Sequence, residues 1–167
     1  MIRVQVVFDA VDPHVLAQFW AEALHYQQED HSAVVGQLLE AGRLRNSDIV
    51  EIHGRRAFRD VAACCDPDGA GPRLFFQRVP EQKTAKNRLH LDLQVGPQNT
   101  GPEVERLIAL GATVAWTTSD RGPVTTTMHD PEGNESLRHV MAYRGRDPSV
   151  AASLISVPRS ARRSARR

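Results

Sequence analysis

Residues 87–95 (NRLHLDLQV) place His90 and Asp92 two positions apart, with Arg88 and Gln94 in the same alternation. In an extended strand these four side chains share one face, while Leu89, Leu91, Leu93 and Val95 share the other. An imidazole titrates near neutral pH, so His90 reads as a metal ligand or a general base, with Asp92 beside it as a second catalytic candidate. The plainer alternative makes His90 a hydrogen-bonded partner of Asp92 or of a cleft water. Asp92 could likewise be satisfied by Arg88. Sheets built from such strands bury their apolar backs under helices and line a cavity with their fronts, which is where function is expected.

Other chemistry-bearing residues are weaker. Glu135 follows a turn and is a candidate base, although a carboxylate in that position is often an exposed charge. His129 reads as a turn residue rather than a ligand, and Phe75, Trp116 and Tyr143 suit either an apolar pocket or core packing. Asp9 and Arg3 share a face of the first strand and read as structural. Cys64 and Cys65 are adjacent, a spacing unsuited to a disulfide or to zinc, and read as strand thiols. Gly69-Ala70-Gly71 precedes no helical pattern, so no phosphate loop or dinucleotide fingerprint is present.

The elements that position these residues follow from periodicity. Residues 3–9 alternate as a first strand. Asp12-Pro13 then opens a helix carrying Val15, Leu16, Phe19, Trp20, Ala23 and Leu24, which runs to about His25. Ser32 and Gly42 bracket a second, short helix. Residues 43–59 fit either a short strand or a turn of helix. Strands are expected over 61–65 and 73–78, with the turn Asp66-Pro67-Asp68-Gly69 between them.

After a polar stretch come the strand at 87–95, a helix opened by a capping box at Thr100 to Glu103 and closed by Gly111, and strands over 112–116, 124–129 and 135–141. The turn Asp130-Pro131-Glu132-Gly133 repeats the earlier one. Each half thus runs strand, helix, strands, Asp-Pro-acid-Gly turn, strand, and two such halves should pack around a shared cavity.

The 167 residues suffice for one domain with a good core. The hydrophobic fraction of 41% and charged fraction of 25% are those of a globular chain, and no apolar run reaches the roughly 20 residues needed to span a bilayer. The N-terminus lacks a signal-peptide pattern, so a cytoplasmic location is expected. The formal charge of +1 conceals five arginines among the last nine residues, which leaves the rest of the chain acidic. This basic tail is expected to be disordered, to touch nucleic acid at most weakly, and to leave a small-molecule ligand as the main partner.

The chain resembles the vicinal oxygen chelate superfamily, which includes glyoxalase I, extradiol dioxygenases and bleomycin-resistance proteins, and it is most similar to the small glyoxalase-like branch. The matching pieces are Asp12-Pro13 with Leu16 to Trp20, both Asp-Pro-acid-Gly turns, residues 72–80 and residues 86–93. The resemblance implies an α+β fold of paired βαβββ modules forming a curved mixed sheet around a cleft. One domain would cover 1–144, with module 1 over about 1–80 and module 2 over about 86–144, followed by the tail at 145–167.

It also implies a divalent metal held by one residue from each of four strands, no organic cofactor, and a homodimer. Gln5, Gln77 and His90 match the first three ligand positions, and Leu137 occupies the fourth, where it cannot ligate. Glu135 or His139 could substitute only if a bulge or register slip moved them, by roughly 7 Å along the strand. Two functions follow from the resemblance. One is metal-assisted lyase, isomerase or dioxygenase chemistry on a small oxygenated metabolite with His90, glyoxalase I activity itself being disfavoured. The other is sequestration of a drug or antibiotic without chemistry.

Overall fold

Strand β1 (Gln5–Ala10) forms where Val6, Phe8 and Ala10 alternate with Gln5, Val7 and Asp9, and the burial follows the alternation, with Phe8 and Ala10 inside and Gln5 and Asp9 exposed. This architecture comes from a computed structural model that describes residues 2–119 and 125–138. Helix α1 (Pro13–Leu24) starts at Asp12, whose carboxylate accepts from the His14 and Val15 N–H groups at 3.0 and 3.3 Å, and ends at His25 in the left-handed region with φ 57°. Its apolar stripe of Leu16, Phe19 and Trp20 is almost fully buried. Phe8 stacks on Phe76 at 5.1 Å and meets Trp20 at 5.5 Å, which fixes α1 against the back of the sheet.

That sheet contains β1, β6 (Arg73–Arg78), β5 (Val61–Cys65) and the two-residue β2 (Gln27–Gln28), in the order β1-β6-β5-β2. β1 and β6 are parallel and the other neighbours antiparallel, the order expected of a βαβββ unit. Cys64 is buried and Cys65 partly so, both as free thiols in β5. Between β2 and β5 the chain inserts α2 (Ser32–Glu40) and a hairpin of β3 (Ile49–Ile52) and β4 (Arg55–Phe58). His53 and Gly54 both have positive φ at its tip, the combination required by a type I′ turn. Residues 43–59 contain both a 3-10 turn, Asn46–Asp48, and the two strands of this hairpin. Ser32 proves to be the first helical residue, with His31 at the cap position.

The second half contributes α3 (Thr100–Ala109) and a three-stranded antiparallel meander of β7 (Thr113–Thr118), β8 (Thr125–His129) and β9 (Glu135–Arg138). Asn99 takes the cap of α3 without a side-chain cap bond, and the Glu103 carboxylate expected to complete a capping box with Thr100 is bound to Arg106. α3 is tied to α1 by Arg106, which donates to the Glu22 and Ala23 carbonyls at 3.0 and 2.8 Å. Its other partner is Glu103, whose carboxylate accepts from the guanidinium at 2.6 and 2.9 Å.

The strand expected at 87–95 is a correction: this segment joins no β-ladder in the described structure. Its first backbone donor, the Asn87 N–H, goes to the Glu135 carboxylate at 2.9 Å instead of to a neighbouring strand. Leu91 and Leu93 nevertheless pack on the core, whereas Leu89 is 63% exposed. The architecture is α+β with a mixed sheet, as the sequence implies. The turn at 120–123 and the residues from His139 onward, including Tyr143 and the basic tail, lie outside the described residues. No helix among the described residues is long and apolar enough to cross a membrane.

Candidate functional site

A cleft of about 890 Å³ separates the two halves. One wall is β1 from Val6 onward with Val11, the other is drawn from residues 79–89, and Pro131, Glu132 and Asn134 close it at one side. The lining mixes apolar Val6, Val7, Phe8, Val79 and Leu89 with polar Asp9, Gln82, Lys83 and Asn87. An apolar surface with a few oriented polar groups is the usual composition of a small-molecule pocket.

The side of the cleft formed by 131–134 is held by Glu132. Its two carboxylate oxygens accept from the Val11 and Asp12 N–H groups at 2.8 and 2.7 Å, which joins the second turn to the start of α1. Behind it, buried Asp130 accepts from the Trp20 indole at 3.2 Å and from the Asn134 amide N–H at 2.9 Å. Burial pushes the Asp130 carboxyl above the usual aspartate range, although the surrounding donors oppose that shift.

Glu135 is displaced from the position a regular strand would give it. His129 pairs with Glu135 while the next residue back, Met128, pairs with Leu137, so a bulge at Ser136 intervenes. The Glu135 carboxylate then meets the Asn87 N–H at 2.9 Å and the Lys83 ammonium at 3.3 Å, with His129 Nε2 at 4.0 Å. Burial alone would raise its pKa, but the Asn87 N–H, its own N–H and Lys83 outweigh burial and hold it at about 2. A carboxylate that acidic and already paired is a weak proton acceptor. Its work in this geometry is to anchor residues 83–87 to β9.

His90 and Asp92 are not brought together. His90 Nε2 lies 2.8 Å from Lys86 Nζ. An ammonium has no acceptor, so in this contact Lys86 is the donor and Nε2 the acceptor. Lys86 also lies over the Trp116 ring, 5.9 Å from its centroid. Asp92 is exposed.

Gln5 and Gln77 occupy the same sheet face at different levels. Gln5 pairs with Arg73 and Asp9 with Gln77, so the two glutamines stand four residues apart in register, about 13 Å along the strands. Gln5 accepts from Arg73, and Gln77 donates to Asp9 at 2.9 Å.

These placements test the fit of a divalent ion. Its ligands must converge to within about 2.0–2.6 Å of one point. Here two candidate donors are separated along the sheet, the His90 nitrogen faces an ammonium, and Leu137 offers no donor atom. Among the described residues no group of three histidine, cysteine or acidic side chains is placed to hold an ion either. The donor set does not fit a metal.

A polar network that periodicity did not single out lies on the front of the first sheet. Arg73 donates to both Glu29 oxygens at 2.5 and 2.7 Å and stacks over Phe75, while His31 Nε2 lies 3.1 Å from Glu29. The paired guanidinium holds Glu29 below the usual glutamate range. The alternation of Arg73 with Phe75 and Gln77 was the available signal for one partner, but Glu29 lies 44 residues away in sequence.

The model of the glyoxalase-like domain matches residues 5–136. The chain belongs to that family. Solved structures agree on the fold. A possible glyoxalase from Bacillus cereus superposes with a TM-score of 0.53 at 13% identity, covering 84% of this chain and 99% of that one. A glyoxalase/bleomycin resistance protein/dioxygenase family enzyme from Burkholderia phytofirmans gives 0.51 at 15% identity, covering 82% and 97%. The fosfomycin resistance protein FosX from Mesorhizobium loti gives 0.53 at 10% identity, covering 86% and 92%. No curated protein matches. The glyoxalase-like domain is therefore set here on a chain whose candidate ligand positions have other partners.

Proposed function

We propose that this glyoxalase-like protein binds a small organic molecule in the cleft between its halves and retains it without metal-assisted chemistry. The observation that carries this reading is the 890 Å³ cleft itself, walled by apolar β1 and bordered by polar groups. Metal-assisted lyase, isomerase or dioxygenase chemistry would need the ligand positions to converge, and the β1–β6 register keeps two of them apart. The fold by itself does not choose between a catalytic and a binding role.

The test is a screen of small amphipathic organic molecules by thermal shift and calorimetry, with metal content measured in parallel. Binding at a ligand concentration of 100 Kd stabilises the native state by about 2.7 kcal/mol. Val7→Trp, which fills the cleft from a residue 49% exposed, is expected to abolish that shift. Ile108→Trp, on α3 outside the cleft, is expected to preserve it. Near-stoichiometric metal that disappears in His90→Ala would overturn the metal-free reading, and ligand binding unaffected by Val7→Trp would overturn the site.

A further inference from the structure

A second cavity lies at the β5–β2 end of the first sheet, the far end from the cleft on β1. β2 pairs with β5 only at Cys65 and Cys64, and once the Glu29 N–H has donated to the Ala63 carbonyl at 2.9 Å the chain leaves the sheet for α2. The β3–β4 hairpin that follows forms its own two-stranded sheet beside α1. Two bonds hold it there. At its base His14 Nε2 donates to the Phe58 carbonyl at 2.8 Å, and near its tip Arg55 donates to Asp30 at 2.8 Å. A space of about 290 Å³ remains between hairpin and helix, with His14, Asp30 and Arg55 all in its wall.

Its apolar part is built from short side chains. Ala17 of α1, Ala57 of β4 and Ala62 of β5 each bring only a methyl group, and Val61 adds one more small surface. Its polar part holds more donors than free acceptors. Glu29 accepts from Arg73 at 2.5 and 2.7 Å, and Asp30 accepts from Arg55, so both carboxylates of the wall are already paired. Arg56 and His53 also line the cavity, and neither has a hydrogen bond or ion pair among the described residues. Arg56 stands opposite Glu51 in the ladder, yet no ion pair joins them. His53 has φ 50°, a conformation normally given to asparagine or glycine in such a turn, and it puts an imidazole in the wall instead. An apolar floor with an unpaired guanidinium suits an anion that carries an apolar body. Size narrows the choice: at about 30 Å³ per water in the liquid, the space equals about ten waters, hence a molecule of about ten non-hydrogen atoms.

We infer that the cavity beneath the β3–β4 hairpin is a second ligand site, separate from the cleft, that takes a small organic carboxylate. The carboxylate meets Arg56 and His53, and the apolar body rests on Ala17, Ala57 and Ala62. The Arg55–Asp30 pair stands at the entrance with side chains 68% and 45% exposed, and an exposed pair of this kind contributes little to stability. The hairpin can therefore part from Asp30 to admit the ligand while His14 keeps its base in place.

The probe is phenylacetate, a carboxylate of about the required size, with benzoate and isovalerate as smaller members of the class. Each is titrated into the full chain while methyl NMR follows Ala17 and Ala57 in this cavity and Val6 and Val7 in the cleft. The Ala17 and Ala57 methyls are expected to shift saturably with phenylacetate, and those of Val6 and Val7 to stay in place. Phenylacetamide has the same shape without the charge and should bind about tenfold or more weakly.

Arg56→Gln keeps an exposed polar side chain in β4 and should lose about tenfold in phenylacetate affinity. His53→Asn supplies the residue such a turn usually carries, so the hairpin is retained and binding should weaken with no fall in melting temperature. Val7→Trp, which fills the cleft, should leave phenylacetate binding unchanged. Absence of saturable shifts with all three carboxylates would overturn the inference. Equal affinity for phenylacetate and phenylacetamide, or full affinity in Arg56→Gln, would do the same. Shifts confined to Val6 and Val7 and abolished by Val7→Trp would assign the carboxylate to the cleft and equally overturn the second site. Because different substitutions close the two cavities, either can fail as a binding site while the other stands.

Discussion

The two Asp-Pro-acid-Gly turns are built alike and used differently. In each, the glycine N–H closes on the first aspartate carbonyl, at 3.0 Å for Gly69 to Asp66 and 2.9 Å for Gly133 to Asp130. In each, the N–H of the third residue donates to the first aspartate side chain at 3.0 Å. Beyond this shared core they diverge. Asp66 spends its second oxygen on the neighbouring Ala70 and Gly71 N–H groups, and Asp68 is exposed. Asp130 is 2% exposed and reaches Trp20 across 110 residues, while Glu132 captures the start of α1. Local sequence dictates the turn; what packs against it decides whether the turn only reverses the chain or also joins the two halves.

Removing the acids should separate these uses most sharply. Asp130→Ala strands the Trp20 indole and the Asn134 donors inside the protein, so a loss of about 3–5 kcal/mol is expected in urea unfolding. Asp66→Ala removes bonds resembling those of a helix cap at a solvent-facing turn and should cost distinctly less. Equal losses would mean that Asp130 is no more than a turn former. Next in size, Glu132→Ala gives up two charge-assisted bonds at the N-terminus of α1, about 2 kcal/mol, whereas Asp68→Ala should stay within about 0.5 kcal/mol.

The same contrast explains what could be read from sequence. β1, α1, β5, β6, α3 and the final meander announce themselves because each carries its own period and its own start or stop residues. The hairpin at 49–58 was ambiguous because Arg55, Arg56 and Arg59 obscure its alternation and His53 stands where asparagine is usual in a type I′ turn. Residues 87–95 have the alternation of a two-faced strand, but alternation specifies faces and not a partner. The Glu135 side chain takes the first donor, and Leu91 and Leu93 still find the core. The site shows the same limit. Gln5 and Gln77 fall on adjacent strands, and their four-residue offset is a property of register, which neither segment encodes alone. The bulge at Ser136 that turns Glu135 toward Lys83 is likewise set by the pairing of two strands.

Acid titration sharpens the comparison further. Backbone donors from Asp68, Gly71 and Ala70 hold Asp66 below the usual aspartate range, whereas burial holds Asp130 above it. Carboxyl-carbon NMR should show the two titrating on opposite sides of the unperturbed value of 3.8. The linkage has opposite signs. The Asp66 contribution is present above the unfolded pKa and lost as pH falls, whereas that of Asp130 is present at low pH and fades as pH rises through its raised folded pKa. Glu135 behaves like Asp66 over a wider interval, with stability lost as pH falls from about 4.5 towards about 2. Glu135→Gln should therefore flatten the acid limb of the stability profile across that interval, and an unchanged limb would remove Glu135 as an anchor of residues 83–87.

The smallest expected difference lies between the turn glycines, and it serves as the control for the rest. Gly69 and Gly133 have φ of +68° and +80°, and a Cβ added at either would meet nothing within 4 Å. Alanine at each position therefore costs only the left-handed backbone, about 1 kcal/mol, with no steric part. Because that cost is local, it should be the same in the exposed turn and in the one that joins the halves. Matching melting-temperature shifts for Gly69→Ala and Gly133→Ala, alongside the unequal pairs at the acids, would locate the whole difference between the turns in Asp130 and Glu132. A markedly larger loss at Gly133 would instead mean that the latch depends on the exact backbone path, and that Glu132 reaches Val11 and Asp12 only because the turn is held rigid.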